Sequence, residues 1–398
     1  MKKNIKYMYN NENRNNWLNH LEHSHLNNSD LNIKIVNNAL CIPDQGLLDD
    51  YFKGGIYDND NNPIYSSFQR TGGETAIELL KKADLSNVDY IDKRVVYLGQ
   101  YRVHYGSFLI DSIARLWYAL DNPEKYDYIF LSTQSILGTC LHKSATDFLS
   151  LLGIKEKQVS IITKPTRFKE IIIPDLAYIP LVDYHQEYLD IIKKVVSNIK
   201  VKDLETYNKI YFSRAKFSKE TKSDFGEIFI DRLFKENGYT IIYPEEHTLE
   251  EQIYYVNNCK VFASVGGSCA HNVIFSFTKP KTIIFNRMNG YQFHQWFLDE
   301  MAGVEPITYV DAYVEPYKFF GETMVNGPFL FWLNKNVKEF AKDNSMTLPK
   351  ISIFEKAYWL LKYTFYYFKK ALYRIKKEMF HRWDLKGQKI VQEHLYMA

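Results

Sequence analysis

The segment from Lys260 to Arg287 constrains the fold more than any other part of the chain. Its sequence, KVFASVGGSCAHNVIFSFTKPKTIIFNR, begins with an apolar run at 260–265 that is typical of a buried strand. Two glycines and a serine follow, then an apolar run at 270–277 that predicts one packed helix, and a second strand-like run at 282–285. This order indicates half of an α/β unit with parallel strands.

The glycine turn of this segment, Gly266-Gly267-Ser268, is also a candidate binding site. A turn between a strand and a helix directs unpaired N–H groups and the positive end of the helix dipole at one place. Glycine leaves no Cβ in the way of a ligand, and the ligand that this chemistry favours is an anion, most often a phosphate. A lone pair of glycines is more often only a tight turn, so the interpretation depends on the rest of the chain.

Length and composition limit the classes of protein to consider. A chain of 398 residues exceeds what one core usually supports, so two domains are expected. A net charge of +3 does not indicate a nucleic-acid partner. The four widely spaced cysteines predict reduced thiols rather than a zinc or disulfide scaffold. Without an apolar signal core or a run of about 18 apolar residues, the expected location is the cytoplasm.

Strand and helix patterns alternate along most of the chain. The polar stretch at 201–208 predicts a domain boundary near residue 200. We therefore expect an N-terminal α/β domain at 1–200 with a loosely packed lead-in at 1–38, a second α/β domain at 201–315, and a helical extension at 316–398. In the second domain, KIYFSR places Ser213 and Arg214 at the carboxyl edge of the sheet, where open α/β sheets bind ligands.

The stretch His104–Leu120, HYGSFLIDSIARLWYAL, has apolar residues at helical spacing. Asp111 and Arg115 are four residues apart and could form an ion pair on one helix face. One interpretation is a structural helix at the edge of the core. The other is that His104 and Asp111 lie at the mouth of a cleft, at a strand-to-helix junction, and spacing alone does not separate the two.

Asp58-Asn59-Asp60 imitates a metal-binding DxD motif. Its setting, rich in Asp, Asn and Pro, instead predicts a turn. The sequence therefore predicts no metal site.

Four segments in register resemble the glycosyltransferase 61 family, over about residues 95–290. They are HYGSFLIDSIARLW, KIYFSR, FKENGYTIIYPEEHTLEEQIYYVNNCKVF and GGSCAHNVIFSFTKPKTIIF. The resemblance implies a GT-B architecture, with two Rossmann-like domains facing a cleft. It also implies sugar transfer from a nucleotide-sugar donor without a bound metal or cofactor. The residues that match the family pattern are Asp111, Arg115, Arg214, Gln252, Gly267, Asn272 and Phe275.

The chain departs from the family pattern at three places. Family members usually carry His where this chain has Ser107, His-Gly-Ala-Gly where it has Gly266-Gly267-Ser268-Cys269, and Asn-Glu where it has Gly226-Glu227. The glycine turn is retained, whereas the identity of a catalytic histidine is open. His104 and His271 are the two available substitutes, and each is more readily explained as a surface or packing residue.

Glycosyl transfer needs stabilisation of the leaving pyrophosphate and a base for the acceptor hydroxyl. Under the resemblance, Asp111 or His104 would be the base, and Glu246 or Gln252 would hold the nucleoside. The full expected donor set is Ser213, Arg214, Glu246, Gln252, Gly266, Gly267, Ser268 and Asn272.

We expect a bacterial-type glycosyltransferase that adds sugar to a cell-surface glycan or lipid-linked acceptor. Two alternatives stay open. One is a polysaccharide pyruvyl transferase of similar fold, and the other is a non-catalytic assembly protein that kept the fold.

The tail at 351–383 interleaves aromatic residues with Lys and Arg and contains no helix breaker. This pattern predicts a long amphipathic helix. Such a helix can lie on an anionic membrane, here the inner face of the plasma membrane. The alternative is a helix that packs back on the N-terminal domain.

Overall fold

A computed structural model of the chain describes residues 3–9, 14, 25–43, 54–68, 73–132, 139–201, 203–217, 224–289, 293–317 and 327–384. It is a mixed α/β structure built around two six-stranded sheets. Within these ranges, no helix is both long and apolar enough to cross a lipid bilayer.

The strands of the described chain are short and fall into two large and two small sheets. In chain order they are β1 (Lys3–Tyr7), β2 (Ile33–Ile42), β3 (Gly55–Tyr57), β4 (Asp89–Gln100), β5 (Asp127–Leu131), β6 (Val159–Ile162), β7 (Thr166–Pro174), β8 (Tyr178–Ile179), β9 (Asp183–Tyr184), β10 (Lys209–Phe212), β11 (Asp224–Phe225), β12 (Thr240–Ile242), β13 (Val261–Val265), β14 (Lys281–Asn286), β15 (Ile307–Asp311), β16 (Tyr313–Val314) and β17 (Phe329–Phe331).

The α-helices of nine or more residues in the described chain lie between these strands or after them. They are α1 (Gly73–Lys82), α2 (Lys143–Leu151), α3 (Gln186–Ser197), α4 (Ile228–Glu236), α5 (Leu249–Asn258), α6 (Phe293–Ala302), α7 (Lys335–Asp343) and α8 (Ile353–Asp384). A capping box begins α5: the Thr248 hydroxyl accepts the Glu251 N–H and the Glu251 carboxylate accepts the Thr248 N–H.

The sheet of the second half has the order β1-β15-β14-β13-β10-β12, and all of its strands are parallel. Parallel strands are covered on both faces, which explains why β13 and β14 are nearly continuous apolar runs. Because the strands are parallel, the segments after β10, β13 and β14 emerge at the same edge of the sheet. This confirms the predicted parallel α/β unit.

The sheet of the first half has the order β3-β2-β7-β4-β5-β6. Strands β7, β4, β5 and β6 are parallel, whereas β2 pairs antiparallel with both β7 and β3. The predicted turn next to β3 is confirmed: the Asp58 carboxylate accepts the backbone N–H groups of Asp60 and Asn62.

The stretch 104–120 is not one helix, which corrects the sequence prediction. It contains a helical turn at Tyr105–Ser107, a π-helical turn at Phe108–Ser112 and a 3₁₀ turn at Leu116–Ala119. The predicted pair of Asp111 and Arg115 does not form. The fully buried Arg115 guanidinium instead donates to the carbonyls of Pro174 and Ser66, so distant parts of the chain set its direction.

The lead-in also differs from the expectation of loose packing where the structure describes it. Strand β1 forms the edge of the second sheet beside β15, and Tyr7 is buried edge-to-face against Phe340 of α7. The other residues of the lead-in at 10–13 and 15–24 lie outside the described residues. The division into domains stays a prediction, with β1 joined to the sheet of the second half.

The two large sheets share one hydrophobic core. A single buried cluster contains Phe108, Tyr128 and Phe148 from the first half together with Phe262, Phe275 and Phe285 from the second. The two halves therefore pack against each other close to the end of β13.

The tail helix α8 packs against the small sheet of β11, β17 and β16. Tyr363, Tyr367 and Ala371 of the helix are buried in one cluster with Phe225 of β11 and Leu330 of β17. Its packing partner is therefore the second half of the chain, not the N-terminal domain as one interpretation of the sequence expected. Strand β11 directly precedes α4, which begins at Ile228.

Tyr363→Ala should lower the free energy of unfolding by about 2–4 kcal/mol, because it leaves a cavity beneath β11. Tyr363 is 3% exposed and its ring stacks on that of Tyr317. The matched variant Phe365→Ala, at a position 65% exposed, should change it by about 0.5 kcal/mol or less. Urea denaturation of both variants tests this, and equal losses would contradict the packing of the tail helix through Tyr363.

Candidate functional site

The candidate site lies where three neighbouring parallel strands end. Arg214 follows β10, the glycine loop Gly266-Gly267-Ser268 follows β13, and Arg287 directly follows β14. Because β13 lies between β10 and β14, one arginine stands on each side of the loop. The carboxyl edge of an open α/β sheet is where such proteins bind ligands.

Gly267 brings the two arginines together. Its φ of +135° lies in a region that favours glycine. A Cβ at this position would lie 3.1 Å from Nη1 of Arg214 and 3.3 Å from Nη2 of Arg287. Both guanidinium groups therefore lie against the backbone of the loop, and any other residue would push them away.

The backbone of the loop offers donors as well. Gly266 donates its N–H to the Phe285 carbonyl, whereas the N–H groups of Gly267, Ser268 and Cys269 have no acceptor within the described part of the chain. The helix after the loop is a 3₁₀ helix of six residues, Ala270–Phe275, and not the longer helix predicted. Its dipole is correspondingly small, so the arginines supply most of the positive charge.

Asp224 holds the two arginines in place. Its buried carboxylate lies 3.4 Å from Nε of Arg214 and 3.7 Å from Nη1 of Arg287. Burial lowers the pKa of Arg214, but the attraction of Asp224 together with that of further acidic neighbours outweighs burial, and the pKa is raised. For Arg287, burial prevails and the pKa is lowered. Two guanidinium groups share one carboxylate, and the cluster retains net positive charge.

Glu227 is buried beside this cluster and supports Arg214. Its Oε1 accepts the Arg214 N–H at 2.7 Å and lies 3.3 Å from the hydroxyls of Tyr211 and Ser213. Burial, and then the charges of Asp224 and Asp231, raise the pKa of Glu227 to about 8. Glu227 is therefore protonated at neutral pH and does not cancel the positive charge of the arginines.

The first half of the chain contacts the same loop through Tyr105 and Gly106. The Tyr105 hydroxyl donates to Oδ1 of Asn272 at 2.9 Å. A Cβ at Gly106 would lie 2.7 Å from the Ser268 hydroxyl and 2.9 Å from Cδ2 of His271. The site is thus formed at the junction of the two halves, and Gly106 permits this close approach.

His271 projects from the 3₁₀ helix toward this junction. Its Nδ1 lies 2.8 Å from Oε1 of Gln295, whose amide donates to the Ala270 carbonyl and to Asp299. Because Oε1 can only accept, Nδ1 carries the proton and Nε2 is left as an acceptor toward Gly106. Burial lowers the pKa of His271 to about 4, so the imidazole is neutral.

The other predicted residues have different surroundings. Asp111 is buried in the π-helical turn with Arg102 3.9 Å away, and His104 is an exposed residue next to Tyr105. Gln252 donates to the carbonyls of Pro244 and His247 and accepts from Asn272, so it links the 244–247 loop to the glycine-loop helix. Glu246 is exposed at the tip of that loop and pairs with Lys216.

Sequence reasoning missed Arg287 and Asp224. A signal for Arg287 existed, because an arginine follows the apolar run TIIF just as Arg214 follows KIYF, and both strands flank β13. Asp224 had no such signal, since it reaches the arginines from another sheet. Within the described ranges, no group of three or more His, Cys, Asp or Glu side chains is placed to hold a metal ion.

The fold and this loop define an α/β protein with a positively charged glycine loop at the carboxyl edge of a parallel sheet. Residues 105–285 match the model of a known family, described as Glycosyltransferase 61. This match confirms the resemblance to that family drawn from the motifs and supports transferase activity in general. No curated protein matches the chain.

Glu227→Gln tests the protonated state of the buried carboxyl. Folding raises the pKa of Glu227 from 4.5 to about 8. The stability that its neutral carboxyl contributes is therefore complete below pH 4.5 and is lost as the pH rises to about 8. Relative to the glutamine variant, the natural chain should therefore lose stability as pH rises through that window. Urea denaturation across it measures the difference. Glu246→Gln, at an exposed carboxyl, is the control, and parallel curves for the Glu227 pair would mean that Glu227 is ionised.

Proposed function

We propose that the chain transfers a glycosyl group from a nucleoside-diphosphate sugar to an acceptor hydroxyl. The observation that carries the proposal is the meeting of Arg214 and Arg287 at Gly267, beside three N–H groups without acceptors. A diphosphate leaving group gains negative charge as the glycosidic bond breaks. Guanidinium groups and backbone N–H groups fixed at that position stabilise this charge best when it is largest.

The proposed architecture is GT-B, with the donor bound by the second half and the acceptor by the first. The contact of Gly106 with Ser268 and His271 supports it, since the two halves meet at the proposed diphosphate site. Glu246 belongs to the 244–247 loop, and Gln252 holds that loop through hydrogen bonds to its carbonyls. The loop follows β12 at the same carboxyl edge of the sheet as the glycine loop, which supports a role of the 244–247 loop next to the nucleoside.

For the proton of the acceptor hydroxyl, we favour His271. Nε2 of His271 faces Gly106, and the hydrogen bond from Nδ1 to Gln295 fixes the tautomer in which Nε2 can accept a proton. The negative charge of a bound diphosphate raises the pKa of a neighbouring imidazole, which makes it a better acceptor than in the empty site. His104 and Asp111 stay predictions for the same role.

The proposed acceptor is a cell-surface glycan or its lipid-linked precursor, elongated in a bacterial cell at the cytoplasmic face of the membrane. The pyruvyl transferase alternative would need the same loop for the phosphate of an enolpyruvate donor. The assembly-protein alternative would need no donor at all. The three differ in which small molecule stabilises the folded chain.

UDP, GDP or CMP should raise the melting temperature of the chain, whereas phosphoenolpyruvate should not, because a ligand of the folded state stabilises it by mass action. Arg214→Lys and Arg287→Lys should each weaken nucleotide affinity by about tenfold or more, since lysine cannot reproduce a two-pronged contact with phosphate. Calorimetry measures the affinity of the nucleotide that the thermal screen selects.

Arg94→Lys, at an arginine that pairs with Glu170 far from the loop, is the matched control and should bind nucleotide normally. Stabilisation by phosphoenolpyruvate alone would support the pyruvyl transferase. No stabilisation by any of the four compounds would support the assembly protein. Normal affinity in both arginine variants would remove the glycine loop as the donor site.

Transfer activity should survive treatment with EDTA. The two guanidinium groups supply the charge that a divalent cation supplies in metal-dependent transferases, so the leaving diphosphate needs no metal partner. Activity in EDTA is compared with activity after addition of Mg²⁺ or Mn²⁺. Loss in EDTA with recovery on adding either ion would contradict the metal-independent mechanism.

A further inference from the structure

The tail helix α8 carries a second apolar stripe on the side away from β11 and β17, although Phe368 at its edge also contacts the ring of Tyr317. The stripe consists of residues spaced alternately by four and three, which places them along one face of a helix. They are Phe354, Tyr358, Leu361, Phe365, Phe368 and Leu372. All six are exposed, with Phe354 at 83%, Leu361 at 69% and Phe365 at 65%.

This stripe is distinct from the face that packs on the protein. Tyr363, Tyr367 and Ala371 lie on the opposite side and are buried against β11 and β17. Since that side accounts for the attachment of the helix, the outer stripe is not needed to hold α8 in place. A continuous row of large apolar side chains facing water marks a surface that binds something.

The charges beside the stripe identify the kind of partner. Lys362 and Lys369 follow one of its edges, seven residues apart, and Lys376 continues the same row. Between residues 356 and 376 the helix contains no Asp or Glu. Glu355, at its start, is bound to Arg232. The partner must therefore offer an apolar layer bordered by negative charge.

A second copy of the chain does not meet this requirement. The spacing of the stripe is that of a coiled-coil seam, in which flanking charges of opposite sign pair between helices. Here one flank carries lysines and the other carries Ala357 and Thr364. Parallel helices would leave the lysines unpaired, and antiparallel helices would set lysine against lysine.

We infer that the outer face of α8 binds the surface of a membrane that contains anionic lipids. The six apolar side chains enter the boundary between headgroups and acyl chains, while the lysines contact phosphate and carboxylate groups of the headgroups. Tyr358 of the stripe suits this boundary, where rings that carry a polar group are favoured. This surface is independent of the donor chemistry proposed above.

Co-sedimentation with vesicles tests the inference on the full chain. The natural protein should bind vesicles containing phosphatidylserine or phosphatidylglycerol far better than pure phosphatidylcholine, and added salt should weaken the binding. Leu361→Gln/Phe365→Gln should reduce binding by about tenfold or more, because the apolar contact is lost. Lys362→Gln/Lys369→Gln should reduce it by about 25-fold, since each cation near an anionic leaflet contributes about fivefold.

The controls remove the same groups elsewhere on the surface. Ile35→Gln/Val182→Gln removes two exposed apolar side chains, and Lys81→Gln/Lys157→Gln removes two exposed lysines. Both should bind vesicles as the natural chain does. Equal losses in the controls, or no vesicle binding by the natural chain, would overturn the inference. A dimer in light scattering that Leu361→Gln/Phe365→Gln converts to a monomer, without vesicle binding, would assign the face to a second copy instead.

Discussion

The shared ion pair of Asp224 with Arg214 and Arg287 is the interaction on which the proposed site depends. Two guanidinium groups repel each other, and burial strengthens that repulsion because water no longer screens it. Asp224 lies between them and makes their approach to Gly267 favourable. The two guanidinium groups and Asp224 together carry one net positive charge. A second ionised carboxylate beside them would cancel that charge. Glu227 avoids this because burial and its acidic neighbours keep it protonated.

The position of Asp224 depends in turn on the end of the chain. Asp224 belongs to the two-residue strand β11, which pairs with β17 and is covered by α8. A strand this short has few hydrogen bonds of its own, so packing must fix it. The Tyr363 side of the helix supplies that packing through Phe225. The tail helix is therefore a structural support of the arginine cluster, and not an appendage that can be removed without consequence for the site.

Much of the second half could be predicted from its sequence. Buried parallel strands are short apolar runs, and the predicted runs differ from the observed strands by one residue at the start of β13 and at each end of β14. The start of helix α5 is likewise set locally, by its capping box. The prediction of one helix at 104–120 was wrong, since apolar spacing alone does not distinguish an α-helix from a series of tighter and wider turns. Its course is set by carbonyls 49 and 59 residues away from Arg115.

The site shows the same division between local and distant causes. Arg214 and Gly267 follow strands and could be found one strand at a time, whereas Asp224 reaches the cluster only through tertiary packing. The tail helix shows most clearly that distant contacts decide what the local sequence pattern does not. Tyr363 and Phe365 are two residues apart, equally aromatic and part of one uninterrupted pattern. Only the contacts with Phe225 and Tyr317 show that the first faces the protein and the second faces outward.

Because α8 has one apolar face on the protein and another facing outward, it links the two proposals physically. A helix of 32 residues that is clamped along one side moves as a unit with the sheet it covers. If its outer face lies on a membrane, the orientation of β11 and of Asp224 relative to that membrane is fixed too. An acceptor carried on a lipid then diffuses in the same plane as the enzyme. The search of the site for such an acceptor would then run along the surface to which the site is already aligned.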